Sequence, residues 1–286
     1  MAIVLTIGDA RITVLDGGSF RLDGGAMHGV VPKTLWSKLV SCDALNRCAY
    51  STRCLLVEAG GRRVLVETGN GDKFPPKLKE IYGIDHDRAI GAALKEVGLT
   101  PDDIDTVVMT HLHFDHSGGT TRRTASGAFE PVFRRARHVV QRREWEDATH
   151  PHERNRASYL QENIGPLGEA GLLQLCDGEV EIAPGVRVVP TPGHTAGHQS
   201  VLVGPADGPK VLFLGDVVPT AVHVKLPWVM SYDLEPARTV ETKRALFTRA
   251  LAEEWLLVWG HDLDHQAGRL GVDKDGAFVV RELVTI

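Results

Sequence analysis

The 286-residue chain has four cysteines, Cys42, Cys48, Cys54 and Cys176, and none of them stands in a C-x-x-C pair. That spacing, with no histidine pair at finger distance, excludes a zinc ribbon or a dithiol redox motif, so reduced thiols are expected, with a Cys42–Cys48 disulfide or a thiol near the site as the alternatives. A long apolar run is missing as well. The apolar opening, residues 1–7, has no basic segment before it and is broken by Gly8-Asp9. It is too short for a signal peptide or a bilayer span, and a cytoplasmic protein with no membrane partner is expected. Positive charge is not in excess either: 32 Lys+Arg against 37 Asp+Glu leave −5, with a pI near 6.2. No basic field draws the chain to nucleic acid, which leaves a small neutral or modestly polar molecule as the expected partner. With 43% hydrophobic and 24% charged residues, residues 1–286 are expected to form one globular domain.

Histidine is where the chain is dense. The stretch Thr110-His111-Leu112-His113-Phe114-Asp115-His116-Ser117-Gly118-Gly119 puts three imidazoles and a carboxylate within six residues. It follows the β-branched run Thr106-Val107-Val108-Met109, so the cluster is expected where a buried strand ends. Alternation turns the rings of His111 and His113 the same way off an extended segment, and Asp115 and His116 point elsewhere. Imidazole nitrogen and carboxylate oxygen bind zinc at about 2.0–2.2 Å. Two ligand pairs facing different ways suit two ions roughly 3.5–4 Å apart.

The H-x-H-x-D-H pattern followed by small residues resembles the signature of the metallo-β-lactamase superfamily. The resemblance implies further ligands downstream, and each has a counterpart. Thr191-Pro192-Gly193-His194-Thr195-Ala196-Gly197-His198 supplies His194, Val211-Leu212-Phe213-Leu214-Gly215-Asp216 supplies Asp216 as the bridge, and Leu257-Val258-Trp259-Gly260-His261-Asp262 supplies His261. The implied ligand set is His111, His113, Asp115, His116, His194, Asp216 and His261. The implied fold is an α/β sandwich in four αββα layers, two mixed β-sheets flanked by helices. The implied cofactor is a pair of divalent ions, zinc first, with manganese, iron or cobalt accepted by the same ligands. Glu67-Thr68-Gly69 stands where the superfamily has Asp-Thr-Gly, which implies a Glu67 carboxylate supporting the metal histidines from beneath, an ordinary strand-end glutamate being the alternative.

Short strands are expected at residues 3–7, 11–15, 54–58 and 63–67, the last two joined through Gly60-Gly61. Residues 16–48 read as a long loop covering substrate, with His28 solvated or hydrogen-bonded within it. Helical spacing of Ile90, Leu94 and Val97 predicts a helix over 87–97, and the order β-β-α-β fits two sheets with helices outside. Residues 141–173 read as a helical connection between halves, and Glu235-Pro236 opens the last helix. Arg122, Arg123, Arg134, Arg135, Arg137, Arg142 and Arg143 read as a solvated surface. His265 and Asp264 read as a plain surface turn.

The segments 139–146, 178–186 and 191–200 resemble the N-acyl homoserine lactonase branch of the superfamily. That resemblance implies a water held between the two ions, its pKa lowered from 15.7 toward about 7, so that the resulting hydroxide opens a lactone or cleaves a carboxylic ester. Asp115 would orient the hydroxide and carry a proton. The chain departs from the branch at Pro219, where a tyrosine would polarise the substrate, and His223 and Tyr232 are the candidates to replace it, His223 first. Alternatives on the same metals are a thioesterase of the glyoxalase II kind and a phosphodiesterase or nuclease. An iron oxidoreductase is disfavoured, because His113 stands where those proteins have Glu. The oligomeric state is left open.

Overall fold

The computed structural model describes residues 4–84 and 88–286, so Ile3 and Asp87, at the heads of two expected elements, lie outside the described residues. Strands β1 (Val4–Ile7), β2 (Ala10–Asp23), β3 (Arg47–Ala59) and β4 (Arg62–Val66) form an antiparallel run that β5 (Thr106–Val108) joins in parallel. A separate ribbon pairs β6 (Thr121–Arg123) with β7 (Phe129–Pro131), and β8 (Arg137–Gln141) and β9 (Leu173–Cys176) extend the first sheet in parallel with β5. The second sheet runs β10 (Val180–Ala183), β11 (Val186–Pro190), β12 (Gln199–Val203), β13 (Val211–Phe213), β14 (Leu256–Val258), β15 (Ala267–Val272) and β16 (Phe278–Val284). Only β13 and β14 are parallel within it.

Residue alternation sorts these strands onto two faces. Leu55 and Val57 of β3 and Val64 and Val66 of β4 meet Val201, Val203, Val211, Phe213, Leu256 and Val258 of the other sheet in one buried layer. The intervening Cys54, Leu56 and Leu65 point outward onto Ile90, Ala93 and Leu94. On the far side Leu212, Leu257 and Trp259 point outward onto Leu246, Phe247 and Ala250. Strands buried on both faces need helices on both outer surfaces. The result is the αββα sandwich.

The helices are α1 (Gly24–His28), α2 (Lys33–Trp36), α3 (Pro76–Tyr82), α4 (Ile90–Glu96), α5 (Phe114–Ser117), α6 (Arg142–Thr149), α7 (Gln161–Glu169) and α8 (Pro236–Ala252). α6 and α7 occupy the stretch read as a helical connection. No described helix is long and apolar enough to cross a membrane.

The substrate-covering loop expected at 16–48 is strand at both ends. β2 continues to Asp23, pairing Ser19–Asp23 with Arg47–Ser51, after a register shift between Asp16 and Ser19. Asp16-Gly17-Gly18 reads as a turn in the sequence and is a bulge in the structure, which bends the strand without ending it. The excursion shrinks to residues 24–46 and holds α1 and α2. Gly60 and Gly61, at φ +57° and +74°, close the β3/β4 hairpin as expected, because a two-residue turn of this hand needs positive φ at both positions.

Two expectations about side chains fail here. Cys42 and Cys48 are bridged, brought opposite each other by an isolated antiparallel pairing, while Cys54 and Cys176 are buried free thiols. His28 is neither solvated nor hydrogen-bonded. It is fully buried, stacked on Trp36 at 4.9 Å and on His223 at 5.1 Å, and neither ring nitrogen has a protein partner.

Candidate metal centre

Parallel strands end on the same edge, and the site is built there. His111 follows β5, Asp216 follows β13 in a short turn, and His261 follows β14, with His194 in the loop after β11. α5 starts directly after His113, so Asp115 and His116 leave from a helical turn while His111 and His113 leave from extended chain. The small residues after His116 are required by close approach: a Cβ on Gly118 would lie 2.0 Å from the Asn70 carbonyl oxygen.

Donor atoms of His111, His113 and His194 lie within 4.8 Å of one another, as do those of Asp115, His116 and His261, and those of His111, His116 and Asp216. Asp216 divides its oxygens between the groups. Oδ2 is 3.4 Å from His194 Nε2 and 4.0 Å from His111 Nε2. Oδ1 is 2.9 Å from His261 Nε2 and 3.4 Å from His116 Nε2. Asp115 Oδ2 sits 3.5 Å from His116 Nε2 and 3.4 Å from His261 Nε2.

Facing nitrogens, His194 Nε2 to His113 Nδ1 and His261 Nε2 to His116 Nε2, are 3.1 and 3.2 Å apart. Two ligands bonded tetrahedrally to one zinc ion at 2.0–2.1 Å stand about 3.3 Å apart. His111 Nε2, His113 Nε2 and Asp216 Oδ1 are buried without a hydrogen-bond partner in the protein. Unpartnered buried donors and acceptors are costly, and a cation explains the Asp216 oxygen and the His111 nitrogen together. The residues fit a pair of divalent ions.

A further layer aims the rings. His116 Nδ1 meets Glu67 Oε2 at 3.2 Å, and the other Glu67 oxygen accepts from the Thr110 amide at 2.8 Å, the position beneath the histidines that the sequence implied. His194 Nδ1 meets Asp233 at 3.0 Å, His261 Nδ1 meets the Ser51 carbonyl at 2.7 Å, and His111 Nδ1 meets the Thr110 hydroxyl at 3.0 Å. With Nδ1 so engaged, Nε2 points to the centre; His113 alone turns Nδ1 toward His194.

His198 Nε2 accepts from the Asp216 amide at 2.9 Å, and burial pushes the ring down to about 3, so it stays neutral and able to accept. Glu144 is fully buried and ties two ligand loops together, accepting from the Leu112 amide, the Tyr159 hydroxyl and the Thr195 hydroxyl. Burial pushes His111 and His113 well below the ordinary imidazole range. Burial opposes ionisation of Asp216, yet His261, His116 and His194 outweigh it and hold the carboxyl well below its usual range. Asp233, Glu144 and the part played by His198 were not evident from sequence. Their partners come from distant segments, and no local pattern marks them.

The cavity over the cluster is lined by Phe20, Leu22, Met27, Tyr82, Phe114, Ser158, Met230 and Tyr232, together with His113, Asp115, His194, Asp216 and His261. Tyr232 is among the lining residues. His223 is not, and the expectation that it serves as a proton donor is corrected: its Nε2 meets the Met27 carbonyl at 2.8 Å and its Nδ1 the Thr220 hydroxyl at 2.7 Å. Burial pushes the ring down to about 3, so Nε2 carries its only proton and gives it to Met27. The short helical turn Ala221–Val224 rotates the ring behind the cavity wall. A wider groove of about 850 Å³ lies elsewhere, lined by Lys210, Arg249, Arg269 and Arg281, which pair with Glu253, Glu282 and Glu254 of the same groove, and it contains none of the seven residues.

Comparison with known proteins agrees with this geometry. The profile of the metallo-beta-lactamase superfamily matches residues 49–261. An N-acyl homoserine lactonase of Bacillus sp is 32% identical over 235 residues, covering 75% of this chain and 82% of that protein. The N-acyl homoserine lactonase AttM of Azorhizobium caulinodans is 31% identical, covering 72% and 76%. A probable metal-dependent hydrolase from Staphylococcus aureus superposes with a TM-score of 0.88 at 32% identity, covering 98% and 100%. AidC, a dizinc quorum-quenching lactonase, shares the fold at a TM-score of 0.79 and 17% identity, covering 100% and 98%. The chain therefore belongs to the metallo-beta-lactamase superfamily and is one of its metal-dependent hydrolases.

Proposed function

We propose that the chain is a dinuclear hydrolase that opens lactones or cleaves carboxylic esters. The observation that carries this reading is the placement of Asp216, whose two oxygens face two separate clusters of ligands. His111, His113 and His194 would hold one ion and Asp115, His116 and His261 the other, with Asp216 shared. Two divalent ions, zinc first, supply a water whose pKa falls toward about 7 and a Lewis acid for the carbonyl. Asp115, which also lines the cavity, orients the attacking water.

The walls favour a neutral substrate. Among the described residues no lysine or arginine lines the cavity. Half-buried Lys73 and buried Arg53 are occupied with backbone, Lys73 with Gly118 and Thr121 and Arg53 with Trp259 and Asp262. Four of the seven arginines after the histidine motif pair with carboxylates, Arg122 and Arg134 with Glu130, Arg142 with Asp177 and Arg143 with Asp147. Beyond the metal ions, a glutathione thioester or a phosphodiester would find no described lysine or arginine in the cavity to pair with its further charges, whereas an uncharged lactone needs none. The relatives named N-acyl homoserine lactonases support the same choice.

The test is a screen of the zinc-loaded protein on lactones, aryl esters, thioesters and phosphodiesters. We expect kcat/KM on the best lactone or ester to exceed that on any thioester or phosphodiester by at least about tenfold, the equivalent of about 1.4 kcal/mol. A reversed order would replace this reading with one of the other two.

A further inference from the structure

Two glutamates outside the ligand set lie buried beside the cluster, and they serve different parts of it. Glu67 meets the His116 ring directly. Glu144, in the first turn of α6, meets no ligand ring, and its partners are the neighbours of ligands. Oε1 accepts from the Leu112 amide at 2.9 Å and the Tyr159 hydroxyl at 3.0 Å, and Oε2 accepts from the Thr195 hydroxyl at 2.6 Å. Leu112 lies between His111 and His113, Thr195 follows His194, and the Tyr159 ring stands 4.8 Å from the His113 ring. Among the described residues, none of these partners is Asp115, His116, His261 or a residue adjacent to them in the chain.

His113 is the ligand that needs such help. The other four imidazoles engage Nδ1 with a carboxylate, a carbonyl or a hydroxyl. His113 has no such partner: Nδ1 faces His194, and Nε2 is buried without a hydrogen bond. A ring with nothing bonded behind it is aimed by its backbone and by what it packs against. For His113 these are the Leu112 amide and the Tyr159 ring, and Glu144 holds both. The loop of His194 is pressed onto the same glutamate, since a Cβ on Gly197 would lie 2.2 Å from the Glu144 amide nitrogen. An ionised carboxylate only accepts, which suits an oxygen pair met by three donors.

Resting on the two-ion reading above, we propose that Glu144 is a positioning residue for one of the two ion sites. It clamps the segments of His113 and His194 together, so that His111, His113 and His194 bind as a set. The site of Asp115, His116 and His261 does not depend on it.

Zinc affinity of metal-free protein, read by competition against a coloured chelator, tests this in two backgrounds. His116→Ala leaves the set of His111, His113 and His194 intact, and His194→Ala leaves that of Asp115, His116 and His261 intact. Adding Glu144→Ala to the first should weaken the remaining ion about 10- to 100-fold, the usual cost of losing a group that orients a ligand. Adding it to the second should leave affinity unchanged. Glu144→Gln keeps an acceptor oxygen for Leu112 and Tyr159 but not the charge, and it should recover most of the loss in the first background. Equal weakening in both backgrounds would show a general structural role, and no weakening in the first would show that packing alone aims His113; either overturns the proposal. A Gln variant as weak as the Ala variant would overturn it in favour of charge. Should Glu144→Ala fail to fold, Thr195→Val removes one arm at similar volume with the carboxylate in place, and the same comparison decides. A wild type that saturates at one ion overturns the two-ion reading, and the Glu144 assignment with it.

Discussion

At the scale of single residues, the centre depends on what happens on the far side of each imidazole. His194 and His116 give Nδ1 to the buried carboxylates of Asp233 and Glu67, which also raises the basicity of the nitrogen facing the centre. Asp233→Ala should therefore weaken zinc binding about 10- to 100-fold with little effect on overall folding, read by competition against a coloured chelator. Unchanged affinity would mean that His194 is oriented by packing alone. The seven residues themselves were legible because alternation within His111 to His116 and three short motifs downstream carry them. Glu67 was legible because it ends a strand beside Thr68-Gly69. Asp233 was not, since it meets His194 from 39 residues away. His223 was misjudged because distance along the chain from Asp216 says nothing about which way a ring faces once residues 221–224 turn helical.

At the scale of elements, α8 does more than cover a sheet. Lys243 shares the inward stripe of Thr239, Leu246, Phe247 and Ala250 and is fully buried. Its Nζ donates to the carbonyls of Lys225, Leu226 and Trp228 at 2.9, 3.3 and 2.8 Å. Those bonds hold the segment that leads to Met230 and Tyr232 at the cavity. Lys243→Met fills similar volume and strands three carbonyls, so it should cost about 3 kcal/mol in urea unfolding. A loss below about 0.5 kcal/mol would show that water satisfies the segment instead. Helix phase could have flagged Lys243 as inward. The extension of β2 through Asp16-Gly17-Gly18 could not be read, because a bulge and a turn use the same residues and only pairing with β3 separates them.

At the scale of the whole molecule, two sheets share an apolar layer and bring the ends of β4, β5, β13 and β14 to one edge, so the centre forms only when the sandwich closes. The periodicity of the strands made this layering legible; the stacking of His28 on His223 was not, because that partner is remote in sequence. Burial pushes His28 down to about 4. An unfolded histidine titrates near 6.5, so between those values the unfolded chain binds the extra proton, and the stability present above pH 6.5 is lost as pH falls toward 4. His28→Phe should abolish this share, keeping about 1–2 kcal/mol more of its neutral-pH stability than wild type at pH 5. Identical acid sensitivity of the two proteins in urea would contradict it. The central claim, that Asp216 bridges two ions, is tested most directly by titrating metal-free protein with zinc and counting bound ions. Wild type should bind two per chain and His116→Ala close to one, with Asp216→Ala impaired at both sites; a wild type that saturates at one ion, leaving His116 and His261 without metal, would contradict the account.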